Sequence, residues 1–448
     1  MNTLKTRDVN QLRLLIVADN ISRKMGGEAG KNLYYLQLLQ ERNVDVHIIC
    51  HARVREELQE ELTKAEFKKI RFIEDSPLQS NLWKITQHLP PRIQVGMIEQ
   101  LIRLNTQLRA RKLAKQIIQE HKINLVFEPS PITPKGISCL YDLGVPVVIG
   151  PLSGGLDFPP AFQYMDGSKT RTTVELIKEY SEFIHQLLPG KLKADTIIVA
   201  NSQTKAALPK GCKGKIYEVI ECGVDLEIWQ PKIYTQPDPN QPIRFIYTGR
   251  FVDWKGVEFL LEAFKIVSEQ TSAVLELVGD GILRPQLQAQ VEQLNLQNKV
   301  HFHGWMKREQ MATFIRECDI FVLPAVREAG GNVVLEAMAS ALPVIVANWA
   351  GPAKTVHSSC GILVDPCSKA GFIQGLADGM LRLANSPELR FQMGQAGIKR
   401  VKQHYFDWDA KCDRILEIFQ ETLHDYGAVS EQITPLQPTY RPKISSAT

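Results

Sequence analysis

The run REAGGNVVLEAMASALPVIVANWAGP, residues 327–352, places two carboxylates, Glu328 and Glu336, eight positions apart. Between them Gly330, Gly331, Asn332 and Val333 lead into an apolar, alanine-rich stretch. A Gly-Gly pair where a loop turns into a helix leaves backbone N–H groups free at the helix start. The macrodipole favours an anion such as phosphate there. Read structurally, Glu336, about one turn inside the helix, is only a charge that suits the dipole. That reading leaves Glu328, on the loop, without a role.

Other loops carry residues of the same chemical kind. In TGRFVDWKG (248–256), Arg250 and Lys255 follow an apolar run. Arginine offers a bidentate fork to phosphate oxygens and lysine adds a point charge. The alternative is a pair of solvated surface cations. ISRKMGGEAGKN (21–32) contains Gly26 and Gly27, which let backbone approach a ligand closely or simply make a flexible turn. GPLSGGLDFPP (150–160) and VGDGILRPQL (278–287) are two more glycine-bearing loops. MGGEAG does not match the Gly-x-Gly-x-x-Gly fingerprint, so a nicotinamide enzyme is disfavoured.

Positioning these loops requires strands with helices between them. Short apolar runs occur at 12–18, 44–50, 123–129, 145–151 and 195–201, and again at 243–249, 273–279, 299–304, 319–325 and 342–348. Continuous apolar runs are what parallel strands covered on both faces require. The stretches between them have helical periodicity. In GVEFLLEAFKIV, for example, Val257, Leu260, Leu261, Phe264 and Val267 fall on one stripe. KNLYYLQLLQER (31–42) and KREQMATFIRECD (307–319) read the same way. The alternation happens twice, which predicts an α/β protein with two Rossmann-like doubly wound domains. In such sheets ligands bind beyond the carboxyl ends of the strands, where these loops lie.

The chain has 448 residues, too many for one ordinary core and suited to two domains of about 200 residues each. The proline-rich stretch WQPKIYTQPDPNQP (229–242) fits a linker. We expect an N-terminal domain over 1–228, a C-terminal domain over 229–406, a terminal helix over 407–425 and a disordered tail over 426–448. With 53 basic and 49 acidic residues, the net charge of +4 is weak for this length and argues against nucleic acid as a partner. None of the eight cysteines forms a Cys-x-x-Cys pair, and no His pair accompanies them at zinc spacing, so a reducing compartment is expected. LRLLIVADN reads as a first strand rather than a signal peptide, and no apolar run reaches the ~18 residues of a membrane span. The basic stretch RLNTQLRARKLAK (103–115) is either a solvated helix face or a membrane-surface contact. Trp83 is assigned to the core, and DWD (407–409) is read as a helix cap rather than a metal motif.

Taken together and in this order, the motifs resemble retaining glycosyltransferases of family four, which have the GT-B fold. Glu328 to Glu336 is similar to that family's Glu-x7-Glu motif. GRFVDWKGVEFLLEAF, LELVGDGILRPQL, ECGVDLEIWQP (221–231) and GPLSGG resemble its other characteristic segments, and the resemblance covers nearly the whole chain. It departs at Cys222, where Asn is common, at Ala341, where Gly is common, and at Lys354, where Glu is common. It also departs in LVFEPSPITPK, which lacks the His of many relatives.

The resemblance implies two Rossmann-like domains facing across a cleft and transfer of a sugar from a nucleotide-diphosphate donor with retention at the anomeric carbon. Arg250 and Lys255 would hold the diphosphate, and the amides around Gly330, Gly331, Asn332 and Val333 would face the diphosphate or sugar. Glu328 would contact the donor sugar and Glu336 the ribose. Gly26 and Gly27 would close over the phosphate or acceptor from the first domain. The terminal helix would cross back onto that domain. Glu328, Arg250 and Lys255 are the expected catalytic set. No metal or other cofactor is expected, because cations and amides would neutralise the diphosphate. The acceptor is a glycan, lipid or small molecule. The expected location is cytoplasmic, with peripheral contact at the inner membrane face as an option. Two rival readings are a nucleotide-sugar epimerase and a non-catalytic protein that binds sugar nucleotides.

Overall fold

A computed structural model describes residues 12–25, 27–76, 99–166, 182–233, 238 and 240–427. Trp83 and Gly26 lie outside the described residues, as does the stretch beyond 427. The chain divides into two compact units. The first comprises Met1–Gly155, Leu176–Glu221 and Asp409–Thr448; the second comprises Leu156–Glu175 and Cys222–Trp408. Each unit takes its residues from more than one stretch of sequence.

The first unit is built on seven parallel strands: β1 (Arg13–Val17), β2 (Asp45–His51), β3 (Ile70–Ile73), β4 (Leu125–Glu128), β5 (Val147–Leu152), β6 (Thr196–Val199) and β7 (Lys215–Glu218). Their order is β3-β2-β1-β4-β5-β6-β7. The central strands are apolar and buried along most of their length because helices cover both faces. The helix Glu99–His121 contributes Ala110, Ala114, Ile117 and Ile118 to the core beside Leu15, Val126 and Ile197. The helix Trp408–Asp425 buries Cys412, Ile415, Ile418 and Phe419. Phe419 meets Phe127 edge-on at 5.0 Å, Thr422 shares a 2.7 Å hydrogen bond with Thr196, and Arg42 donates to Asp413 at 2.6 Å. The helix therefore belongs to the first unit although sequence places it last.

The second unit has six parallel strands: β8 (Ile243–Thr248), β9 (Ala273–Val278), β10 (Val300–Gly304), β11 (Ile320–Leu323), β12 (Val344–Ala347) and β13 (Gly361–Val364). Their order is β10-β9-β8-β11-β12-β13. The stripe Val257, Leu260, Leu261, Phe264 and Val267 on the helix Val257–Ser268 is completely buried, and that helix packs on the helix Lys369–Ala384. Burying each such side chain is worth about 1.5–3 kcal/mol. The region 307–319, read as one helix, is instead a short helix, Arg308–Phe314, followed by a tight turn, Ile315–Glu317. The chain must enter β11 at Ile320, and the tighter turn brings it there. Among the described residues no helix is long and apolar enough to cross a membrane.

Candidate functional site

In the second unit the chain runs β8, β9, β10 to one side and then returns to place β11 on the other side of β8. The loops leaving β8 and β11 diverge, which opens a crevice at their carboxyl ends. A cavity of about 300 Å³ lies there, lined by Leu156, Arg250, Trp254, Lys255, Arg327, Glu328 and Ala329. That volume is at the lower end of ligand-sized pockets.

Local backbone geometry fixes both loops. A Cβ on Gly256, whose φ is +67°, would stand 2.5 Å from the Pro324 carbonyl oxygen, so only glycine lets the β8 loop lie against the β11 loop. The Val326 N–H donates to the Trp254 carbonyl at 3.0 Å and ties the loops together. The Gly351 N–H donates to the Glu328 carbonyl at 3.0 Å and anchors the loop from the other side.

These contacts bring the expected cations and one carboxylate into a single place. The Lys255 ammonium forms an ion pair with Glu328, and the two side chains are only 14 % and 17 % exposed. Arg250 is exposed at the rim, and its carbonyl accepts a 3.0 Å hydrogen bond from the Tyr247 hydroxyl beneath it. Burial and the nearby Glu328 and Glu258 charges push the Tyr247 phenol up, so it stays a donor. Gly331, at φ +78°, is the cap of the helix Asn332–Ala339 and offers no side chain to it. The amides of Asn332 and Val333 therefore begin the helix without a side-chain cap. Gly330 and Gly331 are buried, Asn332 is exposed and Val333 half-buried.

Glu336 is not in the first helical turn and does not line the cavity. It is half-buried, and burial pushes its carboxyl up to about 7 against the pull of Arg308. Gly27 opens the helix Gly27–Glu41 at the carboxyl end of β1 in the first unit and is not among the lining residues. Sequence reasoning missed Arg327, Trp254 and Leu156. The first two sit beside residues that were singled out, and a cation adjoining Glu328 was the available signal. Leu156 lies some hundred residues from the other lining residues in sequence, inside the glycine-bearing loop GPLSGGLDFPP, where the glycines and not this apolar side chain drew attention.

A second cavity, about 370 Å³, opens where β8, β11 and β12 begin. Three of its four lining cations are already engaged. Lys232 donates to the Cys318 carbonyl at 2.7 Å, Arg244 pairs with Glu276 and Glu317 at 3.1 Å, and Arg390 donates to the Leu383 carbonyl at 2.7 Å. It also lies at the amino ends of the strands, opposite to where parallel sheets bind ligands. In the first unit β4 ends in Glu128, which is completely buried. Burial pushes its carboxyl up and brings Lys191, whose ammonium donates to the Thr133 and Pro134 carbonyls, down. The basic stretch 103–115 uses part of its charge internally. Arg103 lies 3.6 Å from Asp19, and Arg111 donates to the Tyr141 carbonyl while its guanidinium lies 3.9 Å over the Tyr141 ring. Asp407, of DWD, is buried beside Val224, and Asp409 pairs with Arg42.

Residues 233–400, which contain this cavity's loops except Leu156, match the family model of glycosyl transferases, group 1. An uncharacterized glycosyltransferase of Methanocaldococcus jannaschii is 27% identical over 279 residues, 60% of this chain and 66% of that protein. A lipopolysaccharide core biosynthesis glycosyltransferase of Rhizobium meliloti is 33% identical over 172 residues, 38% of this chain and 47% of that protein. The chain thus spans between about half and just under two thirds of the length of these curated relatives. Among solved structures, a glycosyltransferase from Rickettsia africae superimposes with a TM-score of 0.62 at 18% identity, over 92% of this chain and 99% of that one. Anabaena HepE in complex with UDP superimposes with a TM-score of 0.59 at 16% identity, over 92% of this chain and 100% of that one. The likeness extends over both units, and the chain has the GT-B fold of two Rossmann-like doubly wound domains.

Proposed function

We propose that the protein is a retaining glycosyltransferase that moves a sugar, a hexose by analogy with its named relatives, from a nucleotide-diphosphate donor to a glycan, lipid or small-molecule acceptor. One observation carries this reading: Arg250, Lys255 and Glu328 arrive from two different strand ends in one cavity at the switch point of the second sheet. The match of residues 233–400 to the glycosyl transferase family supports it. So does the description of HepE, of the same fold, in complex with UDP-glucose.

Breaking a glycosidic bond develops oxocarbenium character on the sugar and negative charge on the departing diphosphate. Arg250, Lys255 and the amides at the start of the helix Asn332–Ala339 would stabilise that departing charge. Glu328, paired with Lys255, would lie beside the sugar, and Glu336 would hold the ribose. No metal takes part in this scheme. We place the protein in the cytoplasm, with the exposed Lys112 and Lys115 available for contact with an anionic membrane surface.

A thermal-shift screen of nucleotide sugars on the full chain tests donor binding, because a ligand that binds the native state raises its melting temperature. The best donor is then incubated with candidate acceptors, with and without excess chelator, and the anomer of the product is read by NMR. Transfer with retention that persists in chelator is expected. Inversion at the anomeric carbon, turnover of the donor sugar without any acceptor, or binding with no turnover on any acceptor would each overturn the reading.

A further inference from the structure

The cavity at the ends of β8 and β11 has two kinds of wall. Arg250, Lys255 and Glu328 carry charge, and the scheme above gives each of them a part. Leu156 and Trp254 are large and uncharged, and that scheme leaves them without one. A diphosphate is held by cations and N–H groups and gains little from an apolar surface. Leu156 and Trp254 therefore suit a different portion of the ligand.

Both residues are anchored through the main chain around them. The Trp254 N–H donates to the Asp253 carboxylate at 2.9 Å, and the Trp254 carbonyl accepts the 3.0 Å bond from Val326. Leu156 is only 7 % exposed. On its segment the Asp157 carbonyl accepts a 2.9 Å hydrogen bond from the Trp349 indole, and the buried Phe158 ring lies 5.1 Å from the Arg327 guanidinium carbon. Trp254 is half-buried, and its indole N–H has no hydrogen-bond partner among the described residues.

A hexose matches such a wall. Its ring C–H groups make an apolar face, and its hydroxyls make a polar rim. The face of an indole is electron-rich and attracts C–H groups, while the indole N–H is a donor for a hydroxyl. Tryptophan has only two side-chain torsions to freeze when a ligand settles on it. Position decides which sugar this is. Trp254 directly precedes Lys255, which is read as holding the diphosphate, and in a nucleotide-diphosphate sugar the hexose is bonded to the outer phosphate. The ring that reaches Trp254 is therefore the donor's.

We propose that Trp254, backed by Leu156, is the platform on which the donor hexose stacks, and that it distinguishes a sugar nucleotide from the bare nucleotide. This inference rests on the donor reading above. Its test is calorimetric titration of the full-length wild type, Trp254→Ala, Trp254→Leu and Trp254→Phe with UDP-glucose and GDP-mannose and with the matching diphosphates UDP and GDP. Circular dichroism melting accompanies each variant. Trp254→Ala and Trp254→Leu should weaken sugar-nucleotide binding about tenfold and leave diphosphate binding unchanged. Trp254→Phe, which keeps a ring but loses the N–H, should lose about threefold.

If the wild type binds no diphosphate and no sugar nucleotide, the donor reading fails and takes this inference with it. If it binds a diphosphate but neither sugar nucleotide, or if the variants bind the sugar nucleotide as the wild type does, this inference alone fails. An equal loss for UDP and UDP-glucose would also overturn it, since Trp254 would then shape the phosphate grip without touching the sugar. So would a variant with unchanged donor binding and a raised KM for the acceptor, which would assign the platform to the acceptor.

Discussion

Replacing Gly351 with alanine tests whether the position of the Glu328 loop, beyond its composition, makes the site. A Cβ at Gly351 would stand 1.9 Å from the Ala329 carbonyl oxygen and 2.7 Å from the Gly330 nitrogen. Both obstacles are main-chain atoms, so no rotamer change relieves the clash. In a close-packed interior the loop and the helix Ala350–Thr355 would have to part by about 1 Å. Overpacking of this kind costs about 1–3 kcal/mol. For a unit of this size each kcal/mol lowers the melting temperature by roughly 2–4 °C. The displacement also stretches the hydrogen bond from the Gly351 N–H to the Glu328 carbonyl and moves Glu328 relative to Lys255. Misplacing a positioned group by about 1 Å costs about 10²-fold in turnover. Melting by circular dichroism and kinetics with the best donor measure the two effects separately. Gly30→Ala is the control, because its Cβ would meet only the Ser22 carbonyl at an ordinary 3.7 Å. If Gly351→Ala melts and turns over like the control, the close approach does not hold the loop and the reasoning is refuted.

Three further outcomes follow from the same geometry. Glu328→Gln should chiefly lower kcat and leave nucleoside diphosphate binding intact, because it frees Lys255 for the diphosphate, whereas Glu336→Gln should weaken that binding by about 1.5–3 kcal/mol; calorimetry showing the reverse pattern would mean the roles are exchanged. Burial holds the folded Glu336 carboxyl at about 7, above its ordinary 4.5, so the folded chain keeps a proton that the unfolded chain has released. Stability should therefore fall as pH rises through that window in the wild type relative to Glu336→Gln, and superimposable melting curves across it would rule this out. Phe162→Ala, at a completely buried ring packed on Phe259 and Phe372, should cost about 3–5 kcal/mol of stability and loosen the segment that carries Phe158; an unchanged melt would show that this segment is not part of the second unit's core.

The strands legible in sequence were those buried on both faces. FVL of β11, VIVA of β12 and LLIV of β1 are unbroken apolar runs because helices cover them above and below. The strands that escaped notice, β3, β7 and β13, all lie at or near a sheet edge. IRFI and KIYE are partly exposed edge strands whose charged residues break the apolar pattern, and GILV is apolar but only four residues long. The helix over 307–319 was overestimated because periodicity records a buried face and not the point where the hydrogen-bond ladder tightens.

Arg250, Lys255 and Glu328 were legible because each lies directly after a buried strand, and residues close in sequence to a strand end must appear at that end of the sheet. Sequence by itself determined which loops bear charge and which glycines open them. Tertiary structure decided which of those loops meet. The strand order brings β8 beside β11, and so makes neighbours of Lys255 and Glu328, which are far apart in the chain. It also sets Phe158 under Arg327 and draws the helix Trp408–Asp425 into the first unit. Local patterns encode burial and turns, but a contact between distant segments depends on how buried surfaces pair, and no single segment carries that information.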